Sequence, residues 1–561
     1  MQEQTTSAMS QTEPNRTAPR RVLIVGGVAG GMSAATRLRR LDEAAEIVVF
    51  ERSGYVSFAN CGLPYYVGGV IEKRSSLLLQ TPESLAARFA IDVRVNHEVV
   101  AIDRASQTVT VRHTRTGETS VERYDALVLS PGAAPFLPPI PGIERAYALR
   151  NIEDVDRMDS AIGLVEGSEE PQRSAVVMGA GFIGLEVAEN LVHRGWQVAI
   201  VELADQIMAP LDPELATLVQ RRLEANGIAV HLGRSVTELT DAEAVLDDGA
   251  RLPASVVVAS VGVRPESKLA KDAGLALTDR GGIVVDAEQR TSDPAIFAVG
   301  DAVVKVDAVD GAQIPNWLAS PANRQGRLAA DVIAGRRASF PPVLNTAIVG
   351  LFGLQAAATG WNEKRAKASG RPFRVIHTHP ADHAGYYPGA KGMSLKLVVD
   401  AETDAILGAQ GVGEAGVDKR IDVIATAMRG GLTASELTDV ELSYAPQFGS
   451  AKDPVNMLGM IAENLRDGLA ETVQWHEVDA ARQAGVQIVD VRTPAEFARG
   501  GIPGAINVPV DELRERIEEV SDGAIVHCQV GLRGYIAARI LAGHGKRVRN
   551  LDGGYRTWAR V

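Results

Sequence analysis

Short apolar runs alternate with glycine turns and amphipathic segments along much of the chain. The first run covers residues 22–25, and glycines separate it from an amphipathic helix predicted to begin at Ser33 and to run to Arg40. A second apolar run, 47–50, follows. Apolar runs of this length are too short for a helix and are typical of buried parallel strands. The pattern therefore predicts a strand, a glycine turn, a helix and a second strand.

The glycines and an acidic residue in this unit indicate a dinucleotide site. Glycines let the backbone approach a pyrophosphate, the helix N-terminus stabilises its charge, and a carboxylate after the second strand accepts from a ribose hydroxyl. Val28 replaces the middle glycine of the G-x-G-x-x-G pattern, so an ordinary tight turn is the alternative. The residues predicted to form the turn and the site are Gly26, Gly30, Gly31, Glu51 and Arg52.

A second unit carries the complete glycine pattern. Gly179-Ala-Gly181-Phe-Ile-Gly184 lies between an apolar run and a helical segment, and Glu202 ends the next apolar run, 23 residues after Gly179. An acid at this place favours a free 2′-hydroxyl, and hence NADH over NADPH. Two such units in one chain indicate two nucleotides that exchange electrons.

Composition and charge exclude several classes of protein. A chain of 561 residues predicts about three to five structural units. The net charge of −12 argues against a general attraction to nucleic acid or to an anionic membrane. No apolar stretch approaches the roughly 18 residues that a membrane span needs. Residues 1–20 lack the apolar core of a secretory signal, so we expect a disordered tail and a cytoplasmic protein.

The segment 291–301, TSDPAIFAVGD, predicts a strand that ends in Gly300-Asp301, where a carboxylate can accept from ribityl hydroxyls. With this segment, residues 21–465 resemble the flavin-dependent pyridine nucleotide–disulfide oxidoreductases. Ser130-Pro-Gly132-Ala-Ala-Pro resembles the crossover between the two nucleotide domains of that family. The resemblance implies FAD at the first site and NADH at the second.

Cys61 and Cys528 are the only cysteines, which excludes a disulfide-stapled fold and a four-cysteine zinc site. Many members of the family carry a C-x4-C pair at the position of Cys61, but Tyr66 stands five residues after it here. Cys61 would therefore act alone, as a mixed disulfide with a small thiol or as a sulfenic acid, unless it is an inert buried thiol. The site must lower the pKa of Cys61, through a helix N-terminus or a neighbouring oxidised flavin.

Ser57-Phe-Ala-Asn60-Cys61 resembles the S-F-x-N-C motif of the coenzyme A disulfide reductases and persulfide reductases in this family. The resemblance implies a channel for coenzyme A. For the arginines of this channel, the alternative is that they lie on a solvated face of the helix. The implied channel residues are Ser33, Arg37, Arg40, Ser57, Asn60 and, as a further candidate, Lys452.

Tyr386 and Tyr444, 58 residues apart, resemble two tyrosines that the partner subunit contributes to the active site in these enzymes. This implies a homodimer in which a phenol donates a proton to a leaving sulfur. Packed interface aromatics are the alternative. His377, His379 and His383 form an H-x-H-x3-H cluster in which zinc ligands are possible, but a polar active-site rim is favoured and no metal is expected.

The tail of the chain resembles a rhodanese domain over residues 472–561, on Asp490-Val-Arg492, the segment 501–507 and Gly553-Gly554. A predicted strand, 524–527, runs into Cys528, and a helix is predicted from about Gly534. Such a turn places a thiolate or a persulfide among backbone N–H groups, and Arg533 adds positive charge. The C-x4-R spacing of Cys528 and Arg533 is that of rhodaneses. Cys-dependent phosphatases, the runner-up for this domain, have C-x5-R.

We therefore expect an α/β protein with two Rossmann-like nucleotide-binding domains, an α+β dimerisation domain and a C-terminal rhodanese domain. The predicted boundaries are 21–145 with 270–345 (FAD), 146–269 (NADH), 346–465 (dimerisation) and 466–561 (linker and rhodanese). The resemblance implies an NADH-dependent flavoprotein that reduces coenzyme A persulfide and polysulfide at Cys61, with coenzyme A disulfide as a further candidate substrate, while Cys528 handles sulfane sulfur. Three alternatives stay open: an NADH oxidase or peroxidase, a coenzyme A disulfide reductase with a vestigial tail, and a non-enzymatic sulfur carrier or redox sensor.

Overall fold

The computed structural model describes residues 19–168 and 172–561. The tail predicted for residues 1–20 lies outside this part of the chain, apart from its last two residues. The described residues form four units, each built on its own five-stranded sheet. No helix in these two ranges is both long and apolar enough to cross a membrane.

The first unit is a parallel sheet that is buried on both faces. Val22 and Ile24 point to one face, where they pack with the helices Ala29–Leu41 and Ala319–Ile333, and Leu23 packs with a three-stranded antiparallel sheet on the other. Burial on both faces explains the uninterrupted apolar runs. In spatial order the sheet strands are Ile296–Ala298, Ala126–Leu129, Arg21–Val25, Glu46–Glu51 and Asp92–Val95. The other elements are helices Leu63–Val67, Pro82–Phe89 and Lys268–Asp272 and strands His97–Asp103, Thr108–His113, Thr119–Arg123, Lys305–Val306 and Gln313–Ile314.

The second unit repeats this plan and is inserted into the first. The chain leaves along the strand Ala133–Pro135 and returns along Val263–Pro265, and these two strands pair antiparallel. The parallel sheet has the spatial order Ala229–Leu232, Gln197–Glu202, Ser174–Met178, Val256–Ala259 and Ala146–Tyr147. The other elements are helices Ile152–Glu166, Phe182–His193 and Pro213–Ala225 and strands Val236–Leu239, Glu243–Leu246 and Arg251–Pro253.

The third unit is an antiparallel sheet with helices packed against it. Its strands lie in the spatial order Ala347–Leu351, Leu354–Gly360, Ile406–Gly413, Met393–Asp400 and Phe373–Thr378. The helices are Glu363–Ser369, Val417–Gly430 and Pro454–Arg466. The central strands Met393–Asp400 and Ile406–Gly413 are buried along their whole length. Their polar members, Lys396 and Gln410, therefore need partners inside the protein.

The fourth unit returns to a parallel sheet with helices around it. Its strands lie in the spatial order Thr472–Val473, Arg549–Leu551, Ile525–His527, Ile488–Asp490 and Ile506–Asn507. The helices are Val478–Gln483, Pro494–Phe497, Leu532–Gly543 and Gly554–Trp558.

Two helices begin earlier than the sequence pattern predicts. The first helix begins at Ala29, so Gly30 and Gly31 lie inside it, and of the three predicted turn glycines only Gly26 has a positive φ, +98°. The helix after Cys528 begins at Leu532 because Gly531, with a φ of +104°, already ends the turn. The first error comes from treating Gly30 and Gly31 as helix breakers where the tertiary structure uses them for close packing.

Candidate functional site

Gly26 makes the turn after the first strand of the first unit. At its φ of +98°, a Cβ would lie 2.1 Å from the carbonyl oxygen of Ser130. A Cβ on Gly31, inside the helix, would lie 1.9 Å from the carbonyl oxygen of Gly26. Both positions therefore require glycine. The helix that follows has no side-chain cap, so its first N–H groups are available to an anion.

Glu51 ends the second strand and supports the same turn. Its Oε2 accepts from the N–H of Gly27 at 2.8 Å, and its Oε1 accepts from the N–H of Ser53 at 2.8 Å. A carboxylate has about four lone-pair sites. Glu51 can therefore hold the turn and still accept from a ribose hydroxyl.

The second unit repeats this geometry at Gly179 and Glu202. The φ of Gly179 is +96°, and a Cβ on Gly184 would lie 2.1 Å from the carbonyl oxygen of Gly179. Glu202 accepts from the N–H groups of Ala180, at 2.8 Å, and Ala204, at 2.9 Å. The two units therefore offer the same set of backbone and carboxylate groups to two nucleotides.

Val28 stands where the second unit has Gly181. Each residue precedes the first residue of its helix, with φ of −115° for Val28 and −85° for Gly181. A Cβ on Gly181 would meet no protein atom within 4 Å. A side chain at this position is therefore compatible with the fold of the turn.

A cavity of about 1200 Å³ extends from the first glycine turn to Cys61. Asp301 lies on its wall, where burial raises the pKa of the carboxyl even though Lys305 and Arg150 act in the opposite direction. The cavity offers an uncapped helix N-terminus and two carboxylates, and these groups suit the pyrophosphate and hydroxyls of the FAD that the sequence implies. The predicted nucleotide residues on its wall are Gly26, Gly30, Glu51, Arg52, Ser130, Gly132, Gly300 and Asp301.

Cys61 lies in the short helical turn Asn60–Gly62 and is exposed to this cavity. Desolvation by the surrounding protein, together with the charges of Glu186 and Asp301, raises the pKa of Cys61. The backbone of this single turn acts to lower the pKa, but more weakly than burial and the two carboxylates act to raise it. The expected lowering by a helix N-terminus is therefore not sufficient by itself. The other expected source, a neighbouring oxidised flavin, stays a prediction.

The predicted coenzyme A residues fall into two groups. Ser33, Arg40, Ser57 and Asn60 line the Cys61 cavity. Arg37 does not, because its guanidinium donates to Asp331 at 2.7 Å on the side of the helix that faces Ala319–Ile333. Lys452 lines a separate cavity of about 270 Å³ in the third unit. Contacts of Arg37 and Lys452 with coenzyme A stay predictions, and Arg37 would first have to leave its carboxylate.

The structure brings Tyr386 and Tyr444 together. Their hydroxyl oxygens lie 2.9 Å apart, and both side chains are exposed, Tyr386 at 76% and Tyr444 at 49%. Neither lines the Cys61 cavity of its own chain. Two adjacent exposed phenols on the third unit are compatible with a role in a second subunit, and that role stays a prediction.

Cys528 is buried at the end of the strand Ile525–His527, and its Sγ accepts from the N–H of Gly531 at 3.2 Å. Arg533 lies beside the sulfur, and Cys528 is, after Glu496, among the groups that raise the pKa of its guanidinium. The same guanidinium donates twice to Glu496, at 2.7 Å each. The positive charge predicted beside Cys528 is therefore balanced by a carboxylate that the sequence analysis missed. The signal in the sequence that could have indicated this carboxylate is the capping box that Thr493 makes with Glu496, since the box holds Glu496 at the start of its helix.

Two of the three clustered histidines lie at contacts between units. His377 is buried between Asp552 of the fourth unit, 2.6 Å from Nδ1, and Glu214 of the second, 2.9 Å from Nε2. His379 contacts Thr557 of the fourth unit at 2.8 Å. For His377 and His379 the favoured prediction is therefore wrong, because these two side chains hold units together and lie away from the cavity lining. His383 contacts Asp382 of its own unit at 2.9 Å, and a place for it at an active-site rim stays a prediction.

Asp212, Glu214 and Glu363 are spaced as metal ligands could be. The ammonium of Lys396 lies among them, at 3.0 Å from Asp212 and 2.6 Å from each of the other two. These carboxylates therefore already have a cation from the chain itself.

Sequence reasoning also missed Glu186 and Tyr65, which lie near Cys61. The hydroxyl of Tyr65 donates to Glu186 at 3.1 Å, and burial raises the pKa of Glu186. Glu186 belongs to the helix Phe182–His193 of the second unit, 125 positions from Cys61. Only the packing of the second unit against the first brings this carboxyl to the thiol.

Comparison with known proteins agrees with this architecture. Residues 20–319 match the model of the pyridine nucleotide-disulphide oxidoreductases, residues 346–454 match the dimerisation domain of that family, and residues 474–560 match the rhodanese-like domain. The chain belongs to the pyridine nucleotide-disulphide oxidoreductase family and carries a C-terminal rhodanese-like domain.

Particular relatives narrow the comparison. The coenzyme A disulfide reductase of Staphylococcus haemolyticus is 35% identical over 452 residues, which are 80% of this chain and 100% of the relative. The crystal structure of reduced Bacillus anthracis CoADR-RHD aligns with a TM-score of 0.95 at 46% identity, over 97% of this chain and 99% of that one. The NAD-dependent persulfide reductase of A. fulgidus aligns with a TM-score of 0.89 at 38% identity, over 96% and 100%.

Proposed function

We propose that this protein is an NADH-dependent flavoprotein that reduces coenzyme A persulfide, polysulfide and coenzyme A disulfide. The observation that carries the proposal is a lone cysteine, Cys61, exposed in the cavity that begins at the first nucleotide turn. The relatives with a coenzyme A disulfide reductase or persulfide reductase name support this choice of substrate.

The first unit would hold FAD and the second NADH. Gly26, Glu51 and Asp301 would bind the pyrophosphate and hydroxyls of FAD, and the turn at Gly179 with Glu202 would bind the corresponding groups of NADH. When bound, FAD relays two electrons from NADH to sulfur. Two nucleotide cradles with the same geometry support this division of roles.

Cys61 would attack the sulfur–sulfur bond of the substrate. Its thiolate forms a mixed disulfide with coenzyme A, and the bond that breaks releases sulfide from a persulfide or a thiol from a disulfide. Two electrons then cleave the mixed disulfide and regenerate the Cys61 thiolate and free coenzyme A. Ser33, Arg40, Ser57 and Asn60 are placed on the cavity wall to orient the coenzyme A chain.

A homodimer would complete the site. Tyr386 and Tyr444 are exposed and paired on the third unit, which matches a dimerisation domain. In the dimer they would approach the Cys61 cavity of the partner subunit and donate a proton to the leaving sulfur. Lys452 would contribute from the same surface.

Cys528 would accept sulfane sulfur and carry it as a persulfide. The N–H of Gly531 already donates to its sulfur, and a terminal persulfide anion needs such donors. Joining this domain to the reductase raises the effective concentration of the persulfide near Cys61.

The test compares NADH oxidation with coenzyme A persulfide, coenzyme A disulfide and peroxide. The parent protein should oxidise NADH with the sulfur substrates, and Cys61→Ser should abolish this activity. Cys528→Ser should lose turnover fed by thiosulfate or polysulfide and keep turnover with coenzyme A disulfide. Full activity of Cys61→Ser with coenzyme A persulfide would refute the mechanism.

Each alternative has its own outcome in the same assay. Peroxide- or oxygen-dependent NADH oxidation that needs no coenzyme A would identify an NADH oxidase or peroxidase. Equal activity of Cys528→Ser and the parent with every substrate would mean that the tail is vestigial. If the protein consumes no NADH in the steady state with any substrate, the non-enzymatic alternative, a sulfur carrier or redox sensor, is favoured.

A further inference from the structure

The segment 552–557 of the fourth unit supports the Cys528 turn. The N–H of Tyr555 donates to the carbonyl oxygen of Cys528 at 2.8 Å, and the N–H of Arg556 donates to that of Gln529 at 2.9 Å. Gly554 packs so closely that a Cβ would lie 2.6 Å from the carbonyl oxygen of Cys528. Any shift of the segment 552–557 would therefore be passed to the backbone that carries the sulfur.

The same segment is fixed to the third unit through Asp552. The backbone N–H of His377 donates to the two carboxylate oxygens at 3.1 and 3.0 Å, and Nδ1 of the ring lies 2.6 Å from Oδ2. Gln474 donates to the same oxygen at 3.2 Å. His377 and Asp552 are both buried, with 3% and 4% exposure, so water does not replace these contacts.

His377 is anchored on its other side by Glu214 of the second unit. Nε2 lies 2.9 Å from Oε1 of Glu214. Since carboxylate oxygens face both ring nitrogens, both nitrogens must donate and the ring is an imidazolium. Burial and Lys396 oppose its charge, but Asp552 and Glu214 outweigh them and raise the pKa of His377 to about 9. One cation thus joins three units.

We propose that His377 is a positioning residue for Cys528: it fixes Asp552 and so aligns the Cys528 turn for sulfur transfer. This inference rests on the proposed function of the rhodanese-like domain. In the step concerned, the Cys528 thiolate attacks the outer sulfur of thiosulfate, the sulfur–sulfur bond breaks and sulfite leaves. The product is the Cys528 persulfide, and no external electrons are needed.

The chain offers a matched pair of variants at this position. In His377→Asn the amide nitrogen falls near the place of Nδ1 and keeps a donor for Asp552. In His377→Gln the amide nitrogen falls near the place of Nε2 and keeps a side-chain donor for Glu214 only, while the backbone N–H still donates to Asp552. Both variants remove the positive charge and the ring, so a difference between them tells the side-chain contact with Asp552 from the side-chain contact with Glu214.

The main measurement is the single-turnover rate of persulfide formation at Cys528 with thiosulfate as the probe. His377→Gln should lower the maximal rate about 10- to 100-fold, as expected for a reacting group displaced by about an ångström. The thiosulfate concentration that gives half the maximal rate should hardly change. His377→Asn should stay near the parent rate. NADH-driven reduction of coenzyme A disulfide should be unchanged in both variants.

A second measurement does not depend on sulfur chemistry. Peptide-resolved iodoacetamide labelling should show a changed rate at Cys528 in His377→Gln but not in His377→Asn. If the parent forms no persulfide at Cys528, the sulfur-handling role fails while the labelling ratio still decides the positioning role.

Parent-like persulfide formation and labelling in His377→Gln, or equal losses in the Gln and Asn variants, would overturn the inference. If His377→Gln does not fold, as judged by circular dichroism, Asp552→Asn tests the same contact from the other side. A slow Cys528 in that variant supports the inference, and a parent-like Cys528 overturns it.

Discussion

Lys396 provides the sharpest test of what holds the second and third units together. Its side chain is fully buried in the strand Met393–Asp400, and its ammonium contacts Asp212 and Glu214 of the second unit and Glu363 of the third. Despite burial, these carboxylates raise the pKa of Lys396, so the side chain is a cation at every pH at which the protein is studied. Lys396→Met removes the charge and keeps most of the volume.

The expected loss follows from the burial of the partners. Asp212 and Glu214 are each 1% exposed, and removal of the cation leaves them in a low-dielectric interior without the charge that compensates their burial. Breaking such a buried pair costs about 3–5 kcal/mol. Lys391 is the matched control, because it lies in the same unit and contacts Glu414 at 3.0 Å, but its side chain is 53% exposed. Lys391→Met should cost at most about 1 kcal/mol.

The assay is urea unfolding of the holoenzyme, followed by circular dichroism and by hydrogen exchange in the strand Met393–Asp400. EDTA must be present, because the freed carboxylates have the spacing of metal ligands. A double variant that adds Glu214→Gln to Lys396→Met should recover part of the lost free energy of unfolding, since it removes one of the buried carboxylates that have lost their cation. The reasoning is wrong if Lys396→Met and Lys391→Met lose the same free energy of unfolding.

Three further predictions concern the nucleotide turn, the buried histidine and the reactive thiol. Gly184→Ala should destabilise the protein by about 1–3 kcal/mol or more, because its Cβ would lie 2.1 Å from a carbonyl oxygen. Gly181→Ala is the control, since its Cβ would meet no protein atom within 4 Å, and it should cost less than about 0.5 kcal/mol. Thermal unfolding measures both losses. The pKa of His377 is raised from 6.5 to about 9, so the stability that its charge contributes is complete below pH 6.5 and is lost as pH rises through about 9. The difference in unfolding free energy between the parent and His377→Gln should therefore shrink between pH 7 and pH 10, and a constant difference would contradict the imidazolium. Glu186→Gln should lower the pKa of Cys61, because the charge of Glu186 raises it. The pH dependence of Cys61 alkylation measures this change. An unchanged pH profile would show that Glu186 does not act on the thiol.

Local patterns predicted most of the fold because they encode backbone requirements. Gly26 and Gly179 need a positive φ, and Gly31 and Gly184 need the absence of a Cβ, so the glycine spacing is itself the signal of a nucleotide turn. The alternation of short apolar runs with amphipathic helices predicted the parallel sheets in the same way.

Close contacts between distant segments left no comparable pattern. Glu186 reaches the neighbourhood of Cys61 from another unit, and Arg37 turns to Asp331, 294 positions away, instead of facing the cavity. A carboxylate or a guanidinium on an amphipathic helix looks the same in the sequence whether it meets solvent, substrate or a partner. His377 and His379 were misplaced for this reason.

The sequence by itself determined the two nucleotide turns, the single cysteine in each reactive segment and the order of the units, because each depends on residues that are neighbours along the chain. Only the tertiary structure decided the electrostatic surroundings of those cysteines and the buried cations, Lys396 and His377, that join the units. Charge interactions depend on distance in space and on burial, and the chain specifies both only once it has folded.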